Sequence, residues 1–270
     1  MDSAAIQDFQ DAVWQKGREL FRAMPWREDT RPYYVLVSEI MLQQTQVDRV
    51  IPKFEAFIAA FPAVEVLANA PLSQVLELWS GLGYNRRAKF LHEAAKMIVR
   101  EYGGVFPKSA AELMKLSGVG VNTAGAIQAY SFNTPALFIE TNVRTVYFHH
   151  FFPDALEVHD TEIKTLLETT VDIEHPREWY WALMDYGTYL KRQGMGANAK
   201  SKHYKKQAPL EGSVRQVRGR IVKTLTETRP VTLPHLKRLV GVDDRFEPAY
   251  QGLLKDGLVL ESDNTVQLAP

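Results

Sequence analysis

The chain has 270 residues, 46% of them apolar and 11% aromatic, a composition that supports a packed core and excludes a disordered protein. Lysine plus arginine and aspartate plus glutamate number 32 each, so no global basic field marks a nucleic-acid partner, and such a partner would have to meet local patches. Cysteine is absent, which excludes disulfides, thiolate zinc sites, cysteine nucleophiles and cysteine-ligated iron–sulfur clusters.

Met1 to Gln10 mixes acids with small residues and lacks a basic-then-apolar signal, and no apolar run approaches the ~20 residues of a membrane helix. A soluble cytoplasmic protein is the expectation. Phe9, Val13, Leu20 and Phe21 recur at helical spacing and predict a helix over Phe9 to Met24, ended by Pro25-Trp26-Arg27. A second helix is predicted from Tyr34 to Asp48, with Val35, Ile40, Met41 and Val47 on one face and Glu39 flanked by apolar neighbours. Helices over Ile51 to Phe61, Val64 to Ala68 and Leu72 to Trp79 follow, the last opened by Pro71. Gly81-Leu82-Gly83-Tyr84-Asn85-Arg86-Arg87 breaks the pattern and begins a basic helix reaching about Tyr102.

Ser109 to Leu116 and Asn122 to Phe132 are predicted helices on either side of Leu116-Ser117-Gly118-Val119-Gly120. Such a hairpin presents bare backbone N–H groups at a helix N-terminus, which suits a phosphate; an ordinary helical turn with two glycines is the plainer reading. Helices over Thr141 to Phe151, Asp160 to Val171 and Trp179 to Leu190 complete an all-α region. Lys191 to Lys223 carries ten basic residues against one acid, Glu211, and a domain boundary is placed near Pro209. Beyond it, helices over Ser213 to Glu227, Leu233 to Val240 and Phe246 to Asp256 precede strands Leu258-Leu260 and Thr265-Leu268, turned by Asp263-Asn264. The expected plan is residues 1–208 as one domain of two lobes and 209–270 as a small winged-helix-like domain.

Two carboxylates, Glu39 and Glu140, could divide acid and base work at a glycosidic bond, as paired carboxylates do in sugar hydrolases. A solvated helix glutamate is the commoner fate of either. The adjacent His149 and His150 would point about 100° apart on a helix, a poor metal pair.

The run Ser38-Glu39-Ile40-Met41-Leu42-Gln43-Gln44-Thr45-Gln46-Val47, with Pro25-Trp26-Arg27 before it, resembles the MutY adenine DNA glycosylases. Gly81-Leu82-Gly83-Tyr84, Leu116 to Gly125 and Ala182-Leu183-Met184-Asp185-Tyr186-Gly187 continue the likeness in order, over roughly Phe21 to Leu190. The hairpin is shared by the wider helix–hairpin–helix superfamily, which includes endonuclease III.

The resemblance implies an all-α, two-lobed fold that flips a base out of double-stranded DNA, because the glycosidic bond is out of reach inside the stack. It implies Glu39 as the acid that protonates adenine N7 and Glu140 in the place of the catalytic aspartate, with Asn142 beside it. Gln43 and Tyr84 match residues that fill or probe the space around the opposite base. Gln44, Thr45, Leu82, Arg86, Gly118, Val119, Gly120 and Thr123 are the further DNA-facing candidates, with Tyr84 or Leu82 entering the stack beside Arg86, Arg87 and Lys89.

Four departures stand out. Glu140 is one methylene longer than the family aspartate, and Asn122 stands where bifunctional relatives carry a Schiff-base lysine, which an amide cannot replace. Lys191 stands where the first cluster-ligating cysteine would begin, so Lys191 to Lys206, Lys200 included, is expected to be a plain basic DNA-contacting segment with no cluster. The C-terminus is shorter than the family's Nudix-like domain, and its predicted reading helix, Arg245 to Asp256, is not basic, which favours a packing role over base reading.

The expected function is a monofunctional, cofactor-free, monomeric DNA glycosylase of base excision repair, acting on adenine opposite 8-oxoguanine or guanine. The alternatives are a thymine or uracil glycosylase acting on mispairs with guanine, and a catalytically silent DNA-binding protein.

Overall fold

A computed structural model describes residues 2–196, 200–202, 208–228 and 230–270. Lys205 and Lys206 of the expected basic segment lie outside the described residues. In chain order the helices begin with α1 (Ser3–Leu20), α2 (Pro25–Glu28), α3 (Pro32–Leu42), α4 (Val47–Ala60), α5 (Val64–Asn69), α6 (Leu72–Trp79) and α7 (Arg86–Tyr102). They continue with α8 (Ala110–Leu113), α9 (Val121–Phe132), α10 (Thr141–Phe151), α11 (Asp160–Thr170) and α12 (Pro176–Arg192). The C-terminal part holds α13 (Val214–Glu227), β1 (Val231–Thr232), α14 (Leu233–Val240), α15 (Phe246–Lys255), β2 (Val259–Ser262) and β3 (Thr265–Leu268). No helix among the described residues is long and apolar enough to cross a membrane.

The chain divides into two compact units, one of Met1–Val35, Lys108–Met114 and Val119–Lys206, the other of Leu36–Pro107, Lys115–Gly118 and Gln207–Pro270. In the first, α1 and α10 pack on α12, and small residues set how closely they approach. A Cβ on Gly17 would lie 2.4 Å from that of Ala182, and one on Gly187 would lie 2.4 Å from the carbonyl oxygen of Asn142. Asp185 of α12, 2% exposed, takes Arg22 Nε at 2.7 Å and Arg27 Nη1 at 2.7 Å, tying the segment after α1 to α12. Phe138 stacks on Tyr180 at 3.9 Å between centroids and presses against Gly125 of α9.

In the second unit α7 buries Ala88, Leu91, Ala94, Ala95 and Ile98, and α5 and α6 pack on it. The C-terminal elements alternate as helix–strand–helix–helix–strand–strand, with sheet order β1-β3-β2 and both pairings antiparallel, the winged-helix arrangement read from sequence. Asp263 and Asn264 make the β2–β3 turn with φ of 48° and 60°, the left-handed pair a tight hairpin requires. α13 packs on α6 as well as on α14 and α15, so residues after Gln207 share a compact unit with Leu36–Pro107.

Three local readings are corrected. The helix expected to run from Tyr34 to Asp48 ends at Leu42, and Gln44 turns the chain with φ 58° before α4 starts at Val47. The helix expected over Ser109 to Leu116 shrinks to the single turn α8, capped by Ser109 Oγ on Glu112 N. Strand β1 was not anticipated, being only two residues long, too short for any periodicity to show.

Truncating Asp185 would leave the buried Arg27 and the partly exposed Arg22 without their carboxylate. Asp185→Ala is expected to cost about 3–5 kcal/mol in urea denaturation, and a loss below about 1 kcal/mol would show that the pair contributes little.

Candidate active site

In the second unit, Glu39 rides on α3 between the buried Ser38 and Ile40, itself partly exposed. The last carbonyls of a helix have no partners within it, and here a buried guanidinium takes them. Arg87, 6% exposed, donates from Nη1 to the carbonyls of Ile40 (2.9 Å), Met41 (2.8 Å) and Gln43 (2.6 Å). Its Nη2 donates to Thr45 Oγ1 (3.1 Å) and to the carbonyls of Gly83 (3.0 Å) and Leu82 (3.4 Å). This cap stops α3 at Leu42 and joins its end to the turn before α7. Burial lowers the Arg87 pKa to about 10, which leaves it cationic at neutral pH.

Arg87 therefore does not belong to a phosphate-facing edge, because its Nη donors are spent inside the fold and its Nε is buried with no hydrogen-bond partner among the described residues. Arg86 remains largely exposed but lies 3.5 Å from Asp256, and Lys89 Nζ donates to the Asp256 carbonyl at 2.7 Å. Leu82 is 4% exposed and packs in the core, so it cannot be a stacking wedge. Tyr84, two residues on, has φ 49° and is only half-buried, so its ring, unlike the Leu82 side chain, is partly open to solvent. Gln43 Nε2 donates to the carbonyl of Gly118 at 3.4 Å, and Gln44 is exposed.

The hairpin turns at Gly118, whose φ is 78° and where a Cβ would lie 2.9 Å from that of Phe90. Gly120 caps α9 with no side-chain hydrogen bond, so the first N–H groups of the helix are left for a ligand. Val119 and Thr123 are 6% and 8% exposed, and any part they play in binding falls to their backbone.

In the first unit, Glu140 is the N-cap residue of α10, with extended backbone and no side-chain cap bond. The segment leading to it is pinned by Asn122, whose Nδ2 donates to the Ile139 carbonyl at 3.0 Å and whose Oδ1 accepts from Ile139 N at 3.3 Å. Asn142 Nδ2 donates to Thr188 Oγ1 at 3.4 Å, while its Oδ1 is buried with no hydrogen-bond partner among the described residues. Burial raises the Glu140 pKa, and the cations of Arg144 and Lys191 oppose that shift. Arg144 is itself held by Asp160 through two bonds of 2.8 and 2.6 Å. Lys191 has its own pKa lowered, first by burial and then by Arg22, against the pull of Glu140. Lys191 thus belongs electrostatically to the Glu140 site, whereas Lys200 donates to the carbonyls of Phe152 and Pro153 and is spent on the fold.

The structure thus sets a glutamate with a raised pKa after a backbone segment pinned by Asn122, and a glycine-turned start of α9. Residues 37–171 match the model of the HhH-GPD superfamily of base excision DNA repair proteins. An adenine DNA glycosylase of Mycolicibacterium smegmatis is 34% identical over 263 residues, 88% of each chain. The chain belongs to this superfamily.

Another relative, the adenine DNA glycosylase of Buchnera aphidicola from Baizongia pistaciae, is 38% identical over 173 residues, 63% of this chain and 48% of the relative. The chain spans about half the length of the Buchnera relatives it matches. The human adenine DNA glycosylase is 38% identical over 154 residues, 54% of this chain and 28% of its own. Among solved structures, a thermostable thymine-DNA glycosylase aligns with a TM-score of 0.61 at 24% identity, covering 68% of this chain and 86% of that one. Endonuclease III in a trapped covalent complex with DNA aligns with a TM-score of 0.58 at 19% identity, covering 77% and 91%. Both show that the superfamily's fold is present.

The iron–sulfur cluster that the resemblance associates with the stretch after α12 would find no cysteine there. The chain has no cysteine, and Lys191 and Lys200 stand in that stretch with amines, which do not supply thiolate donors. Two contributors to the site were not legible beforehand. Arg87 read as one more surface cation of a basic helix. Gly187 lets α12 reach the Asn142 backbone, and only the contact itself reveals the need for a missing Cβ.

A carboxyl whose folded pKa is raised above its unfolded value makes the fold bear the cost of ionisation at neutral pH. Glu140→Gln is therefore expected to be more stable than the wild type at neutral pH. The gap should close as pH falls through the raised pKa of Glu140. Urea midpoints across that range test this, and a variant less stable at neutral pH would contradict it.

Proposed function

We propose that the protein is a monofunctional adenine DNA glycosylase that removes adenine mispaired with 8-oxoguanine or guanine from double-stranded DNA, working as a monomer and without a cluster. The observation that carries this reading is the likeness to the mycobacterial adenine DNA glycosylase over 88% of both chains, which runs through Glu39, Glu140 and the hairpin.

In this reading the base is flipped out of the stack, and Glu39 protonates adenine N7. The C1′–N9 bond then breaks with its electron pair going to the base. The Glu140 carboxylate, kept basic by its surroundings and aligned by Asn122 through Ile139, stabilises the oxocarbenium-like sugar. Water adds at C1′ and gives its proton to Glu140. Asn122 supplies an amide where lyases use an amine, so no Schiff base forms at that position and the product is an abasic site in an unbroken strand. The N-terminus of α9 and its Gly118 turn bind a backbone phosphate of the same strand, while Gln43 and Tyr84 meet the opposite base.

The test uses duplexes with labelled A, T or U opposite guanine or 8-oxoguanine, scored for strand breaks with and without alkali. Cleavage at A that requires alkali and falls by at least about a hundredfold in Glu39→Gln is expected. Release confined to T or U would replace the substrate. Strand breaks without alkali, or a borohydride-trapped adduct, would contradict the monofunctional mechanism. Tight mispair binding with no release from any duplex would favour a silent binder.

A further inference from the structure

The Tyr84 ring sits among cations from two parts of the second unit. The Arg87 guanidinium carbon lies 5.6 Å from the ring centroid and that of Arg215 lies 5.1 Å away. Arg215 Nη1 also donates to the Tyr84 hydroxyl, and its Nη2 donates to the Ala208 carbonyl at 3.0 Å. Arg215 is in the first turn of α13, where the helix dipole disfavours a cation, so the helix itself gives no reason for an arginine there.

The C-terminal elements grip the same turn a second time. Asp256, at the end of α15, takes Arg218 Nη2 at 2.5 Å and lies 3.5 Å from Arg86 Nε, and its carbonyl accepts from Lys89. These bonds bring α13 and α15 onto Tyr84, Arg86 and Lys89 together. The surface that a winged helix would offer to DNA is ill suited to it. The exposed residues of α15 include Glu247, Pro248 and Gln251, and the β2–β3 hairpin exposes Glu261 and Asp263.

We infer that Arg215 is a positioning residue for Tyr84, through which the C-terminal segment sets discrimination of the opposite base without itself reading DNA. The inference rests on the adenine glycosylase reading above. A phenol held by a charged donor keeps one orientation when the duplex arrives, whereas a released ring samples several and loses selectivity. Tyr84 already has a left-handed backbone, which fixes its Cα–Cβ direction, and Arg215 fixes the far end of the ring.

The test compares wild type, Arg215→Ala, Arg215→Lys, Tyr84→Phe and the Arg215→Ala/Tyr84→Phe double variant in the full chain. Single-turnover excision of adenine is measured opposite 8-oxoguanine and opposite cytosine. Arg215→Ala should lower the rate ratio between the two duplexes by about tenfold, the scale of one lost charged hydrogen bond. Tyr84→Phe, which keeps the ring, should match it, the double variant should lose no more, and Arg215→Lys should recover part of the ratio. Equal loss on both duplexes, an unchanged ratio, or additive losses in the double variant would overturn the inference. A parallel arm measures binding to the same duplexes carrying an uncleavable 2′-fluorinated adenosine. Should the wild type excise nothing, the adenine glycosylase reading falls. The binding ratio then decides Arg215 on its own, with the same tenfold loss expected and an unchanged ratio overturning it.

Discussion

One buried guanidinium organises the unit that carries Glu39. Among the described residues no carboxylate bonds Arg87, and its two Nη groups donate to carbonyls and a hydroxyl drawn from two separate turns, while Nε stays buried without a partner. Burying a cation costs several kcal/mol, and hydrogen bonds from charged donors, about 1.5–3 kcal/mol each, are what offset it. The arrangement works because both turns expose carbonyls that helices cannot use: α3 ends at Leu42, and the chain between α6 and α7 is held open by Gly81, Gly83 and Tyr84 at positive φ. Lysine could not serve here, since a point charge with three donors does not fork toward acceptors from both turns. The geometry of Gln43 and of Tyr84 thereby depends on a side chain that never needs to touch DNA.

The first unit solves a different problem. The carboxyl that the proposed mechanism needs ionised is placed where burial opposes ionisation, and the local structure counters this with position and charge. Glu140 caps the start of α10, where the helix dipole favours an anion, and Arg144 and Lys191 add positive potential. Asn122 holds the preceding backbone with a donor and an acceptor, and Gly187 lets α12 close on Asn142. The extra methylene relative to aspartate is set against these constraints, which leave the Glu140 backbone little freedom. The cost in stability and the usefulness of the site have one origin, the desolvation of that carboxyl.

Much of this architecture was legible in the residues. The bounds of α10 and α14 follow from periodicity and their flanking caps, the Asp263-Asn264 turn from its residue types, and the glycine hairpin from its spacing. The break at Gln43 to Thr45 was not legible. The apolar pattern continues through Val47, and the group that ends the helix comes from more than forty positions further on, as the Arg87–Gln43 bond shows. Leu82 and Tyr84 were interchangeable in the sequence because period-based reasoning cannot see the irregular backbone of this turn, with Gly81, Gly83 and Tyr84 at positive φ, in which Leu82 is buried and Tyr84 half-exposed. Lys200 and Arg87 were read as surface cations because charge alone does not reveal which carbonyls lie within reach.

Under the proposed function this scaffold releases adenine by hydrolysis. The most direct measurement is mass spectrometry of both the free base and the DNA strands after incubation with a pool of duplexes carrying A, T and U mispairs. Free adenine, with the abasic strand still full length, is the predicted result. Free thymine or uracil, or a strand cut at the abasic position before any alkali, would contradict hydrolytic release of adenine.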